Sequence, residues 1–159
     1  MTMSDIEMSG RPLRILHIIT RLTVGGAQET MMLTCDLEDR ERVPNEVLSG
    51  IETGIEGQLH DECRSRGILL HFEQSLVRDL HPFKDAVALV KLTQFIRRGR
   101  WDIVHTHSSK AGILGRMAAK LAGTPVVLHT AHGWAFDREQ PATVRALYVA
   151  LERFARISR

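Results

Sequence analysis

Short apolar segments alternate with segments of helical pattern along almost the whole chain. Of all the features of the sequence, this alternation restricts the possible folds the most. The first apolar segment, Leu13–Thr20, is nearly unbroken, which is typical of a strand buried on both faces of a parallel sheet. Four further strands are predicted over Glu46–Ser49, Ile68–Phe72, Trp101–His105 and Pro125–Thr130. Strands that alternate with helices in this way predict an α/β fold, a Rossmann-like, doubly wound parallel sheet.

The predicted helices fill the intervals between these strands. Pro82 is suited to the first turn of a helix, and Gly67, Gly99 and Gly123 are natural helix ends. The helices are predicted over Gln28–Glu38, Gly54–Arg66, Pro82–Arg98, from Ser108 or Ser109 to Leu121, and over Pro141–Arg156. Residues 1–12 are interpreted as a short disordered lead, so the single domain is predicted over 13–159.

Composition excludes several classes of protein. The chain has 159 residues, the length of one domain, and its net charge of +2 is too small to indicate a nucleic-acid partner. No run approaches the roughly 18 apolar residues of a membrane span, and the first residues lack the apolar core of a signal peptide. Cys35 and Cys63 fit no disulfide framework or zinc spacing. We interpret them as reduced thiols in a cytoplasmic protein.

In a doubly wound sheet the ligand crevice lies at the carboxyl ends of the strands. Gly25 and Gly26 stand between the first strand and its helix, where the missing side chains let a ligand approach the backbone. The N–H groups of a helix start favour phosphate or carboxylate there, although a plain turn would also use two glycines. The dinucleotide fingerprint and the Walker A loop are both absent, which argues against an ordinary nicotinamide enzyme.

The fourth strand ends in a polar segment. His107, Ser108, Ser109 and Lys110 follow one another there, and a lysine beside a helix N-terminus indicates an anionic ligand. A zinc site would have to recruit several histidines, and no cysteine or carboxylate completes such a set, so no metal is predicted. The histidines concerned are His105, His107, His129 and His132. We interpret His105 as a core residue.

The fifth strand leads into the segment His132-Gly133-Trp134, which should enter the crevice. A histidine there could orient a hydroxyl group or steady a developing charge. Trp134 and Phe136 offer flat faces on which a sugar could stack, or they could close the core beneath the loop. The cluster Arg97-Arg98-Gly99-Arg100 is either a solvated helix end or a contact with anionic lipid headgroups.

Three motifs together resemble the N-terminal domain of family 4 glycosyltransferases of the GT-B fold. They are VGGAQE at Val24–Glu29, DIVHTHSSKAGILGR at Asp102–Arg116 and TPVVLHTAHGWAF at Thr124–Phe136. Each motif alone is weak, but their order and their positions at the sheet ends are specific. The resemblance runs from about Leu13 to Ser158.

The resemblance implies a role for each motif. Gly25 and Gly26 would approach the diphosphate of a UDP- or GDP-sugar donor, and His132 would be the catalytic histidine near the transferred sugar. The acceptor, a sugar or lipid-linked sugar, would lie against the remaining candidates, which are His107, Ser108, Ser109, Lys110, Gly133 and Trp134. Members of the family typically retain anomeric configuration and need no bound metal or other cofactor. They build cell-surface polysaccharides, glycolipids and small glycosides.

The sequence departs from the family pattern in one large respect. The family's E-x7-E element and nucleotide pocket belong to a C-terminal domain, which this sequence of 159 residues does not contain. The chain is therefore expected to be inactive without such a domain, supplied in cis or in trans. The alternative is a non-catalytic module that binds a sugar or phosphosugar or regulates a partner. A cytoplasmic location, either free or at the inner face of the membrane, fits both readings.

Overall fold

The computed structural model of the protein describes residues 11–51, 55, 57–132, 142–143, 145–146, 149–150 and 153. Most of the predicted lead, residues 1–10, lies outside the described residues, as do the candidate site residues Gly133 and Trp134. The described residues between 142 and 153 are helical, within the span predicted as the last helix.

Five parallel strands form one sheet, which confirms the predicted α/β, Rossmann-like class. The order across the sheet is β3-β2-β1-β4-β5. The strands are β1 (Ile15–Ile19), β2 (Asn45–Ser49), β3 (Leu69–Phe72), β4 (Ile103–His107) and β5 (Val126–Thr130). The central position of β1 explains its composition, because every residue of this strand is buried.

Helices cover the sheet on both faces. They are α1 (Gly26–Leu37), α2 (His60–Ser65), α3 (Pro82–Gly99) and α4 (Ser109–Ala122). Leu16 and Ile18 of β1 join the apolar cluster that contains buried residues of α3 and α4. Ile19 points to the other face and joins the cluster that contains buried residues of α1 and α2. The period of two along β1 thus divides its side chains between two apolar cores.

Two predicted boundaries were wrong, for tertiary reasons. The helix predicted over Gly54–Arg66 begins only at His60, because Gln58 forms an antiparallel bridge with Thr23 and holds the chain extended there. The fourth strand was predicted to end at His105, but it continues to His107. Pairing with β5 carries it further, since His107 lies in register with Thr130.

Both cysteines are free, in keeping with their interpretation as reduced thiols, and the structure buries both of them. They lie in the cluster between the sheet and the helices α1 and α2. Burial raises the pKa of the Cys35 thiol to about 12 and that of Cys63 to about 11, so both stay protonated at neutral pH. Among the helices that the structure describes, none is long and apolar enough to cross a bilayer.

Candidate functional site

The candidate site lies where the direction of winding changes. Strand β1 is flanked by β2 on one side and by β4 on the other, so the connections leaving β1 and β4 diverge to opposite faces of the sheet. A crevice opens at such a switch point, outside the carboxyl ends of the strands. The segments that follow β1, β4 and β5 therefore meet at this edge, and they carry Gly25, Gly26, Ser108 and His132.

Gly25 and Gly26 form the N-terminus of α1, as the sequence indicated. Gly25 is the residue before the helix, and no side chain caps the first turn. A Cβ atom built on Gly26 would meet nothing within 4 Å, whereas one on Gly25 would lie 3.1 Å from the side chain of Gln28. The backbone is thus open to a ligand at Gly26, and the fold itself does not require glycine there.

Thr20, the residue directly after β1, supplies the N-terminal cap of α4. The Thr20 hydroxyl accepts a hydrogen bond from the N–H of Ala111 at 3.1 Å, in the way that a capping side chain does. Thr20 Oγ1 also lies 2.8 Å from Ser108 Oγ. Ser108 itself has φ 66° and ψ 155°, a region that is costly for any residue other than glycine. Hydrogen bonds with Thr20, just beyond the end of β1, thus hold Ser108 at the crevice in a strained conformation.

Three histidines form a hydrogen-bonded chain that reaches from the centre of the sheet to this edge. His17 Nδ1 lies 3.1 Å from His107 Nε2, and His107 Nδ1 lies 3.0 Å from His132 Nε2. The rings of each pair are nearly parallel. The side chains of His17 and His107 are buried, with 1% and 3% exposure, whereas His132 is exposed at the outer end of the three-histidine chain. The predicted catalytic histidine is therefore tied to the core by two others.

Burial keeps the inner two histidines neutral. Desolvation first, and neighbouring histidines second, lower the pKa of His17 to about 3 and that of His107 to about 2. Desolvation also lowers the pKa of His105, which lies beside them on β4. Near neutral pH each of these three rings carries one proton, so each offers one donor and one acceptor.

The histidine cluster brings three possible metal ligands together, but its geometry fits a hydrogen bond better than a metal centre. One nitrogen each from His17, His105 and His107 lies within 4.8 Å of the others. Histidines that share a zinc ion point their nitrogens at the ion from about 2.0–2.1 Å. The centroids of His17 and His107 are 5.4 Å apart, which equals the 3.1 Å nitrogen separation plus the two ring radii. The nitrogens thus face each other along a line, and that arrangement fits an N–H···N bond rather than a shared metal.

The other two histidines of the region take no part in this hydrogen-bonded chain. His105 contacts the Thr130 hydroxyl through Nε2 at 2.7 Å and is half-buried, in keeping with its interpretation as a core residue. His129 is on the opposite face of the sheet, where its Nδ1 lies 3.0 Å from Thr106 Oγ1. A Cβ on Gly112 of α4 would strike the His129 ring, which fixes how closely this helix packs. The four histidines considered for zinc are thus divided between two faces.

Lys110 has an internal partner. Its side chain is 8% exposed, and Nζ lies 2.6 Å from Asp85 Oδ1 and donates to the carbonyl of Asp79. The sequence predicted an acceptor-binding lysine at the helix N-terminus, whereas the structure directs this ammonium toward the start of α3. Ser109 is the first residue of α4 and is half-buried.

Gly50 is a structural glycine at this edge that the sequence alone did not reveal. A Cβ on Gly50 would lie 2.0 Å from the Leu76 carbonyl oxygen and 2.5 Å from that of Thr20. The segment after β3 therefore crosses directly over the end of β2, where Leu76 is fully buried. Gly50 directly follows β2 at the carboxyl edge of the sheet, but the space beside it is already filled by backbone.

The arginine cluster lies at the opposite edge of the sheet. Arg97 and Arg98 end α3, and Arg100 follows it with a left-handed conformation just before β4 begins. All three are exposed. Arg97 also donates to the carbonyl of Leu121 at 2.6 Å. The cluster is thus at the amino ends of the strands, away from the crevice.

The sequence and fold were compared with known proteins. The family of the glycosyl transferase 4-like domain matches residues 16–156. An Escherichia coli UDP-Gal:alpha-D-GlcNAc-diphosphoundecaprenol alpha-1,3-galactosyltransferase is 34% identical over 143 residues, which are 90% of this chain and 36% of that protein. The chain spans about a third or less of the length of the curated relatives it matches.

Solved structures share the fold at low sequence identity. MurG from Acinetobacter baumannii has a TM-score of 0.59 at 15% identity, over 88% of this chain and 39% of its own. HepE from Anabaena, solved in complex with UDP, has a TM-score of 0.58 at 21% identity, over 87% of this chain and 35% of its own. At these identities the likeness concerns the fold alone.

Proposed function

The chain belongs to the glycosyl transferase 4-like domain family, and from that premise we propose that it is the acceptor-side domain of a retaining, nucleotide-sugar-dependent glycosyltransferase. One observation carries this proposal. The open backbone at Gly26 and the His132 imidazole belong to segments that meet at the same edge of the sheet, at its switch point. A diphosphate and a sugar hydroxyl could be held side by side there.

The donor would be a UDP- or GDP-sugar. Its diphosphate carries negative charge, and more charge develops on it as the bond to the sugar breaks. The N–H groups at the start of α1 have no side-chain cap, so they are free to face an anion that approaches past Gly25 and Gly26. The rest of the donor site would come from a C-terminal domain, in cis or in trans.

The acceptor hydroxyl would attack on the face from which the nucleotide diphosphate leaves, which retains the configuration of the sugar. His132 would contact the transferred sugar or the hydroxyl, since it is exposed at the end of the histidine chain. Ser108 and Ser109 would face the acceptor from the start of α4. Gly133 and Trp134 remain predicted acceptor contacts that follow directly after His132.

We propose a lipid-linked sugar as the acceptor, in cell-surface polysaccharide or glycolipid synthesis. The relative from Escherichia coli supports this proposal, because its acceptor is a sugar linked to diphosphoundecaprenol. Such an acceptor would bring the protein from the cytoplasm to the inner face of the membrane. Contact through Arg97, Arg98 and Arg100 can be tested by flotation with anionic vesicles, where replacing the three by glutamate should abolish binding.

The direct test joins this chain to the remainder of the Escherichia coli relative and measures transfer from UDP-galactose to a lipid-linked GlcNAc acceptor. The chain alone should not transfer sugar, whereas the fusion should. A non-catalytic module is the alternative function. It would bind the acceptor saturably and give no transfer even in the fusion.

A further inference from the structure

The three-histidine chain is continuous and runs head to tail. At each junction an Nδ1 meets an Nε2, first between His17 and His107 and then between His107 and His132. In the outer pair the centroid separation of 5.3 Å again equals the 3.0 Å nitrogen separation plus two ring radii. Both junctions thus have the linear geometry of N–H···N hydrogen bonds.

This arrangement couples the tautomers of the three rings. A neutral imidazole carries its proton on one nitrogen and accepts on the other. If His17 donates from Nδ1, then His107 accepts at Nε2 and must donate from its own Nδ1, and His132 accepts at Nε2 in turn. The reverse direction requires every proton on Nε2. A neutral chain with both bonds made therefore has only two states, all Nδ1–H or all Nε2–H.

The buried end of the chain distinguishes these two states. His17 Nε2 is buried and has no hydrogen-bond partner in the part of the chain that the structure describes. In the all-Nε2–H state an N–H donor would be stranded there, whereas in the all-Nδ1–H state only a lone pair is left without a partner. Orphaned buried N–H groups are rarer in proteins than under-satisfied acceptors. The unpartnered Nε2 of His17 at the buried end thus favours the all-Nδ1–H state.

We propose that His17 and His107 are positioning residues that hold His132 as the Nδ1–H tautomer, so that it meets its ligand as a neutral hydrogen-bond donor. Its Nε2 is occupied by the proton of His107, and its Nδ1–H is left for the crevice. The group it contacts should therefore be an acceptor, such as a sugar hydroxyl or phosphate oxygen, and His132 does not take a proton from the attacking hydroxyl. This assignment of its role rests on the proposed function, whereas the tautomer does not.

The experiment is a long-range 1H–15N NMR correlation on the histidine rings of this 159-residue chain at neutral pH, with no substrate present. It reports which ring nitrogen bears the proton. We expect His17, His107 and His132 all to carry it on Nδ1. Protons on Nε2 in the three rings, or a His132 that averages both tautomers as an exposed histidine does, would overturn the proposal.

Two variants of His107 separate positioning from packing. In His107→Asn the amide nitrogen takes the place of Nδ1 and can still donate to His132, so His132 should remain the Nδ1–H tautomer. In His107→Leu that donor is lost, and His132 should become a mixture of tautomers. An unchanged His132 in the leucine variant, with a well-dispersed spectrum showing that it folds, would contradict the proposal.

A matched control is available on the same strand. The ring of His105 lies 4.2 Å from that of His107, but His105 bonds Thr130 and takes no part in the chain. His105→Gln should leave the His132 tautomer unchanged. Because these spectra involve no sugar transfer, they can succeed or fail independently of the proposed glycosyltransferase activity.

Discussion

His107 Nδ1 lies 3.0 Å from His132 Nε2, and this contact joins a buried strand to the exposed segment after β5. The partner that holds His132 is itself 3% exposed and is bonded in turn to His17. Side chains locked by such inner contacts lose little freedom when a ligand binds. The contact thus accounts for a defined orientation of a histidine on an exposed segment.

His132 should matter for turnover and little for folding. In the fusion with the relative's remaining domain, His132→Ala should lower kcat by about 100-fold or more, as loss of a catalytic hydrogen bond does. The free energy of unfolding of the chain should fall by no more than about 2 kcal/mol, because the side chain is exposed and only its bond to the buried His107 is lost. Equal losses of turnover and stability would instead make His132 a structural residue.

Gly26→Val should weaken donor binding without disturbing the fold. A side chain at Gly26 finds open space in this structure, so the cost is confined to the ligand side of the helix start. We expect the KM for the nucleotide sugar to rise about tenfold or more in the fusion, with an unchanged midpoint of urea unfolding. Gly26→Ala adds a smaller side chain, and its KM for the nucleotide sugar should lie between those of the parent fusion and the valine variant. Unchanged donor affinity in the valine variant would remove Gly26 from the site.

Gly50→Ala should be severely destabilising. The added Cβ would lie 2.0 Å from one backbone carbonyl oxygen and 2.5 Å from another, so backbone must move at the end of β2. Such a clash should cost about 2–4 kcal/mol or more of the free energy of unfolding, measured by urea denaturation. Gly26→Ala is the control, because a Cβ atom there meets nothing within 4 Å. Gly123→Ala is unsuitable, because Gly123 has a positive φ that alanine rarely adopts. A loss below about 1 kcal/mol would contradict the close crossing.

The buried histidines should make the chain sensitive to acid. In the unfolded chain they titrate near 6.5, while in the folded chain the pKa values of His17 and His107 are lowered to about 3 and about 2. Below pH 6.5 the unfolded state therefore binds protons that the folded state does not, and stability falls as the pH falls.

Each such histidine contributes at most about 1.4 kcal/mol of lost stability per pH unit, until the pH reaches its folded pKa. His17→Phe removes one of them, so urea unfolding at pH 7, 6, 5 and 4 should show a shallower decline of the free energy of unfolding. His105→Gln gives a comparison at a half-buried position. Parallel declines for the parent chain and His17→Phe would show that His17 is not buried in its neutral form.

The strands could be predicted because a strand that is buried on both faces of the sheet is apolar along most of its length. Ile15–Ile19 is apolar throughout except for one histidine, and that exception was the available signal for His17. Its partner could not be foreseen, since the bond to His107 depends on β1 and β4 being neighbours in the sheet. The bridge between Thr23 and Gln58, which shortened α2, is likewise a contact between segments far apart in the chain.

Part of the candidate site could be predicted because it rests on features that are local in the sequence. Glycines at a strand end and a histidine after β5 are local features, and the structure brings their segments to one edge. The ion-pair partner of Lys110, in contrast, could not be predicted from the residues near it in the sequence. A lysine at a helix N-terminus is unfavourable for the helix dipole, and the structure supplies a compensating charge in Asp85 on α3. That pairing depends on how α3 packs against α4.

The central claim is tested most directly by measuring sugar transfer from UDP-galactose to lipid-linked GlcNAc. The isolated chain and its fusion to the remainder of the Escherichia coli relative would be compared side by side, with the His132→Ala fusion as the inactive reference. The account predicts no transfer by the chain alone, and transfer by the fusion that His132→Ala removes. Transfer by the isolated chain, or a folded fusion that binds acceptor and transfers nothing, would contradict it.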